Sequence, residues 1–196
     1  MKDHIVFLLP FYLLSFLVLS CECIQVLMRQ NPEICHIAVL SENTTSERSN
    51  TELLDTLYRN LGFEVEYRLV DDFEQWKAAF REISLSAQII YLPTNGAIRH
   101  WEREEAIAFV QENIRVPTIT MDDFMMDYAV FGMTKVASQQ GEWAASTTLE
   151  ILGGTPPSSI PYTRNSRFRT YLNRNLAGRI GFDLHASPPG GITEIE

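Results

Sequence analysis

The sequence predicts an α/β fold: three layers, with a five-stranded parallel sheet in the order 2-1-3-4-5, helices on both faces, and a carboxyl-terminal linker and helix beyond it. Three observations lead there. Between Ile34 and Gly153, short apolar runs alternate five times with segments whose apolar residues recur at three and four positions. The connections between them are rich in helix-capping residues and glycines. Strict βα alternation then requires right-handed crossovers, which make the strands parallel and cover both faces with helices.

The first strand is the run Ile34 to Leu40, and the polar loop Ser41 to Ser46 after it supplies helix caps. In the helix that follows, Leu53 or Leu54, Leu57 and Leu61 share a face, and Gly62 stops it. Phe63, Val65, Tyr67 and Leu69 alternate with Glu64, Glu66 and Arg68, the period of a half-exposed strand at a sheet edge. Phe73, Trp76, Phe80 and Ile83 restore the helical period. Gln88 to Leu92 is a buried strand closed by Pro93-Thr94-Asn95-Gly96, and Trp101 to Asn113 is a helix with Ala106, Phe109 and Val110 inward. Val116 to Met121 is the fourth strand, Asp122-Asp123 opens a short helical turn, and Tyr128 to Met133 is the fifth strand. The last helix of this block has inner positions Ala137, Gly141, Ala144 or Ala145, Thr148 and Leu152, and ends at Gly153-Gly154.

Residues 34–154 thus form the expected α/β lobe. Residues 155–196 are expected to be a Pro-rich, hinge-like linker, a short strand-like stretch, a helix from Asn173 to Ile180 and a disordered tail. Ahead of the lobe, Ile5 to Leu19 are fifteen residues without a charge. As a helix they reach about 22 Å, short of the roughly 30 Å hydrocarbon core. Residues 1–23 are therefore expected to be a signal peptide, a lipoprotein signal with Cys21 as the lipidated residue, or a membrane anchor. The chain is accordingly expected to be exported, to the periplasm or the outer face of the cytoplasmic membrane.

Composition narrows the chemistry. Sixteen Lys and Arg against twenty-five Asp and Glu leave a net charge of −9, the wrong sign for neutralising nucleic-acid phosphates. The four His are scattered, and the sequence has no HExxH, GxSxG, P-loop or GxGxxG pattern. Neither an enzyme nor a cofactor is expected. Cys21, Cys23 and Cys35 complete no metal-ligand set, and Cys35 reads as a small apolar strand residue.

In an open sheet of this order, ligands sit beyond the carboxyl ends of the strands where the order reverses. That edge is lined by the loops Ser41 to Ser46 and Pro93 to Ala97, the first leading into a helix N-terminus suited to an anion. Asp122 and Asp123 share the rim and are suited to an ammonium group. Ser41, Asn43, Thr44, Thr94, Asn95 and Asp122 are the candidate ligand contacts, each also serviceable as a plain helix cap. Tyr91 and Trp101 are candidates for stacking on an aromatic ligand, with packing the simpler role for both. A receiver-like site is set aside, because the third strand ends Leu92-Pro93-Thr94-Asn95 and lacks the acceptor carboxylate.

Residues Ala87 to Leu184 carry an ordered series of segments: Ile89-Ile90-Tyr91-Leu92-Pro93-Thr94-Asn95, Val116-Pro117-Thr118, Gln140-Gly141-Glu142-Trp143-Ala144-Ala145, Ile151-Leu152-Gly153-Gly154-Thr155-Pro156-Pro157 with Ile160-Pro161, and Tyr171-Leu172-Asn173 with Leu176-Ala177 and Ile180-Gly181. In this series the chain resembles the ABC-transporter substrate-binding protein family typified by periplasmic proteins that bind aromatic amino acids and similar small solutes. The resemblance extends back through Ile37-Ala38-Val39-Leu40 and implies two Rossmann-like lobes joined by a hinge, with the ligand in the cleft between them. It implies capture of a small solute, an amino acid or small carboxylate, and delivery to an ABC permease. Ile34 follows only thirteen positions after Cys21, so most of the amino-terminal lobe of that pattern is expected to be missing. On that pattern the stretch after Pro161 returns to the missing lobe, leaving Tyr171, Leu172, Leu176 and Ile180 to fold back on the sheet, mediate self-association or pack loosely. The alternative function is a membrane-tethered α/β module with a sensory or protein-interaction role.

Overall fold

A computed structural model describes residues 23–29, 31–161, 163, 166–184 and 191–196. Its centre is a seven-stranded sheet in the order β2-β1-β3-β4-β5-β6-β7. The strands are β1 His36–Glu42, β2 Glu64–Val70, β3 Ile89–Tyr91, β4 Thr118–Thr120, β5 Phe131–Lys135, β6 Phe168–Asn173 and β7 Thr193–Ile195. The helices are α1 Thr45–Asn60, α2 Phe73–Ser86, α3 Arg103–Asn113, α4 Ala137–Leu152 and α5 Arg174–Arg179, with 3-10 turns at Asp123–Tyr128 and Pro157–Ser159. Residues 23–29 are also helical.

Strands β1 to β5 are parallel in the order 2-1-3-4-5. The expected five-stranded, wholly parallel sheet is nevertheless too small. β6 runs antiparallel to β5, with Phe131 opposite Leu172 and Lys135 opposite Phe168, and β7 runs parallel to β6. The physical reason lies in the Pro-rich connection: Pro156, Pro157 and Pro161 cannot continue α4, and the chain returns in the opposite sense to fill the free edge of β5. Thr193–Ile195, inside the tail expected to be disordered, form the outer edge, and the Arg174 guanidinium pairs with the Glu194 carboxylate.

Local chemistry explains the elements that flank the site. Thr44 caps α1, its hydroxyl accepting from the Glu47 N–H at 3.2 Å, and Gly62 at φ 91° lets the chain turn back into β2. Asp72 caps α2 by accepting from Gln75 N–H, while the Gln75 side chain accepts from Asp71 N–H, a reciprocal pair of caps. Phe73, Trp76, Phe80 and Ile83 are all buried on α2, and Ala106, Phe109 and Val110 on α3, as their spacing predicts. β2 lies at the sheet edge as its alternation predicts.

Two apolar clusters sandwich the sheet. One joins Leu40, Ile90 and Leu92 to α2, α3 and α5 through Trp76, Phe80, Phe109, Val110 and Leu176. The other joins Ile37, Val39, Ile89 and Ile119 to α1 and to residues 23–29 through Leu54, Tyr58, Ile24 and Leu27. Of the outcomes left open for the stretch after Pro161, folding back on the sheet is the one observed: Leu172 and Leu176 are buried in the first cluster and Ile180 packs against it. One further expectation is corrected. α4 buries none of its residues: Ala137, Gly141, Ala144, Ala145, Thr148 and Leu152 do not pack on the lobe. Cys35 is exposed just ahead of β1, whereas Cys23 is buried. Among the described residues no helix is long and apolar enough to cross a membrane. The apolar run Ile5 to Leu19 and the lipidation candidate Cys21 lie outside the described residues.

Candidate functional site

The carboxyl ends of β1, β3 and β4 bring three loops to one edge of the sheet. On one side of it, Ser41 is fully buried and its hydroxyl donates to Glu47 Oε2 at 2.7 Å. The other oxygen of Glu47 accepts from the Asn50 amide at 2.8 Å. Glu47 sits in the first turn of α1, so the helix N-terminus that the sequence offers to an anion already holds a carboxylate of this chain. Ser41 therefore braces Glu47 instead of facing a ligand. Thr44 is spent as the α1 cap, and Asn43 joins two loops through its side chain, donating to Asp71 Oδ1 at 3.1 Å and accepting from Arg48.

On the other side, Glu42 is nearly buried and its Oε2 accepts from the Ala97 N–H at 2.6 Å. This bond ties the end of β1 to the loop after β3. In that loop the Thr94 hydroxyl accepts from Gly96 N–H at 3.4 Å, while the half-buried Asn95 side chain makes no hydrogen bond with a described residue. After β4, Asp122 pairs with Lys135 at 3.2 Å, and the Lys135 N–H donates to the Met121 carbonyl at 3.3 Å. The structure thus places all six candidates on one edge. Thr94, Asn95 and Asp122 are partly accessible there, Ser41 is not, and Asn43 and Thr44 are committed within their loops.

Glu42, Glu47 and Lys135 belong to the same edge and were not among the candidates. Thr44-x-x-Glu47 is a capping-box pattern, a signal that points to Glu47 from sequence. Glu42 has no such signal, since it is one acid at the end of an apolar run. Tyr91 is buried beneath the edge: burial pushes its hydroxyl well above the ordinary tyrosine pKa, and the nearby Tyr58, Asp122, Glu47 and Cys23 act in the same direction. Trp101 is enclosed by Phe73, Trp76 and Tyr128, and its indole N–H donates to the Tyr128 hydroxyl at 3.1 Å. Both aromatics therefore pack within the lobe.

At this edge the acids Glu42, Glu47, Asp71 and Asp122 outnumber the cations Arg48 and Lys135, so the edge carries net negative charge. Among the described residues no group of three or more His, Cys, Asp or Glu is placed to hold a metal ion. A separate cavity of about 320 Å³ opens at the amino-terminal end of the sheet, between Leu27, Ile34, Gln88, Pro117 and Phe182. Gln88 spends its carboxamide oxygen there on the Cys35 and His36 N–H groups.

The fold has counterparts among solved structures. The ligand-free, open structure of CD0873, a substrate-binding protein with adhesive properties from Clostridium difficile, matches 90% of this chain with a TM-score of 0.68 at 14% identity. An ABC domain in complex with L-Trp from Streptococcus pneumoniae matches 88% with a TM-score of 0.65 at 14% identity. A conserved domain protein from Vibrio cholerae matches 88% with a TM-score of 0.65 at 15% identity. The fold is that of substrate-binding proteins. The chain spans only 58 to 59% of the length of these structures. No protein-family model and no curated protein matches it.

Proposed function

We propose that this chain is a ligand-binding lobe of the solute-binding component of an ABC-type uptake system. It takes a small solute at the carboxyl edge of the sheet and works outside the cytoplasmic membrane with an ABC permease as its partner. The observation that carries this reading is the shared fold with substrate-binding proteins, combined with an edge where Thr94, Asn95 and Asp122 stay accessible on a rigid scaffold. The negative charge of that edge favours a solute bearing an ammonium group, and thus an amino acid over a simple carboxylate. Glu42, Glu47 and Asn43 act as positioning groups that hold the loops in register.

One lobe supplies one wall of a cleft, and affinity in two-walled sites comes from closure that excludes water. The chain alone is therefore expected to bind weakly. The test is a titration of the isotopically labelled chain with a panel of amino acids and small carboxylates, followed by amide NMR and by calorimetry. The expected result is a set of shifts confined to Thr94, Asn95 and Asp122, with dissociation constants on the order of millimolar. Micromolar calorimetric binding would contradict the one-wall account, and an absence of shifts at these residues for every solute would contradict the site.

A further inference from the structure

The helix formed by residues 23–29 belongs to the core of the lobe. Cys23, Ile24, Val26 and Leu27 are buried in the cluster built on Ile37, Val39, Ile89 and Ile119. The two ends of this short helix lie at opposite edges of the sheet. Cys23 Sγ is 4.0 Å from the carbonyl oxygen of Thr120, the last residue of β4, and Cys23 neighbours Tyr91, the last residue of β3. Leu27 lines the cavity at the amino-terminal end of the sheet with Ile34, Gln88 and Pro117. The Asn31 N–H donates to the Leu27 carbonyl at 3.0 Å, and the chain turns there towards β1. The helix therefore runs antiparallel to the strands, from the carboxyl edge to the amino edge. At 1.5 Å per residue it covers about 10 Å, enough to cross the short strands β3 and β4. The chain ahead of Cys23 thus reaches the lobe at the carboxyl edge. Ser20, Cys21 and Glu22 separate Cys23 from the uncharged run Ile5 to Leu19. The four steps from Leu19 to Cys23 span at most about 14 Å, so the end of the run is held close to that edge.

We propose that the lobe stands on a lipid bilayer with its carboxyl edge facing the lipid, held there by residues 5–19 embedded in the hydrocarbon. Fifteen uncharged residues, most of them Leu, Phe, Ile and Val, favour that environment over water. Because the helix of residues 23–29 is packed into the core, the connection is fixed on the lobe side and only three residues remain in which to turn. The edge carries net negative charge, and carboxylates resist burial in lipid, so it faces the headgroups across water. The amino edge, with Cys35 exposed just ahead of β1, points away from the bilayer. The orientation rests on the reading that the chain works at the outer face of the membrane, and not on solute binding. A solute leaving this edge enters the space next to the bilayer, where the proposed permease partner lies.

The full chain reconstituted into phosphatidylcholine vesicles tests this. A fluorophore is attached to Cys35 at the amino edge in one variant and, in a second, to the cysteine of Ser46→Cys at the carboxyl edge. Both variants carry Cys21→Ser and the second also carries Cys35→Ser, while Cys23 is buried and stays unlabelled. Circular dichroism verifies the fold of each. The two labels flank the ends of β1, about 20 Å apart along the strand, so energy transfer to a headgroup-labelled acceptor lipid is expected to be about twofold or more higher from residue 46. Equal transfer from the two labels, or higher transfer from residue 35, on a chain that floats with the vesicles would overturn the orientation and leave the membrane location standing. A chain that does not float with the vesicles would overturn both. Neither result bears on the solute titration, which tests the binding edge by itself.

Discussion

Replacing Leu176 by Ala probes the least expected feature of the architecture, the return of the carboxyl-terminal segment to the sheet. Leu176 is 1% exposed and belongs to the same cluster as Trp76, Phe80, Phe109 and Val110. Its backbone N–H is held by the Asn173 side chain at 3.1 Å, and the Asn173 amide in turn donates to the Met126 carbonyl at 3.3 Å. The site is thus pinned and has little freedom to collapse around the lost carbons. The full cavity cost is therefore expected, about 3–5 kcal/mol within the range known for buried Leu→Ala changes. For a lobe of this size each kcal/mol shifts the melting temperature by about 2–4 °C, so a fall of about 6–20 °C follows. Urea unfolding monitored by tryptophan fluorescence measures it, because Trp76 and Trp101 lie in the same cluster. The midpoint should drop with an unchanged slope. Leu85→Ala, at a position 83% exposed, is the reference and should stay within about 0.5 kcal/mol of the parent. If Leu176→Ala proved as mild as Leu85→Ala, the packing of α5 on this lobe would be wrong.

Two further outcomes follow from the buried polar groups. Ser41→Ala removes a donor from the nearly buried Glu47, leaving the Asn50 amide as its described side-chain partner, and should cost about 1–3 kcal/mol in the same urea assay; a neutral result would show that Glu47 is hydrated in solution. Burial raises the Tyr67 and Tyr91 hydroxyls above the ordinary value of 10.0, so the folded state keeps protons that the unfolded state has lost. Their contribution to stability is intact below about pH 10 and declines as pH rises from there towards the folded values. Tyrosinate absorbance should accordingly show part of the seven tyrosines, Tyr67, Tyr91 and the likewise raised Tyr128 among them, ionising at higher pH than the rest; uniform titration of all seven in the folded protein would refute their burial.

Much of the sheet was legible because period and burial coincide there. The four apolar residues of α2 and the three of α3 face the core at the positions their spacing assigns. The same rule misled at α4. Its apolar stripe has the period of a packed helix, but periodicity states only that a face needs cover and not which surface provides it. Ala137, Gly141, Ala144 and Thr148 were therefore credited to a sheet they do not touch. For Leu172 and Leu176 the sequence left three fates open and could not choose among them, because β6 pairs with β5 in antiparallel sense and βα alternation carries no information about a reversed edge strand.

The carboxyl edge of the sheet shows the same limit at the scale of single side chains. Sequence position placed Ser41, Asn43, Thr44, Thr94, Asn95 and Asp122 correctly on one rim, because loop membership follows from strand order. It could not divide them by task, since hydroxyl and amide side chains at helix starts serve caps and ligands with the same atoms. The division depends on which acids lie within reach. Glu47 claims Ser41 and the first turn of α1, Glu42 claims the backbone of Ala97, and Asn95 and Asp122 keep accessible surface. Positioning groups and contact groups thus alternate along the rim. Asp122 stands between the two sets: it keeps accessible surface, yet its salt bridge to Lys135 ties the loop after β4 to the end of β5.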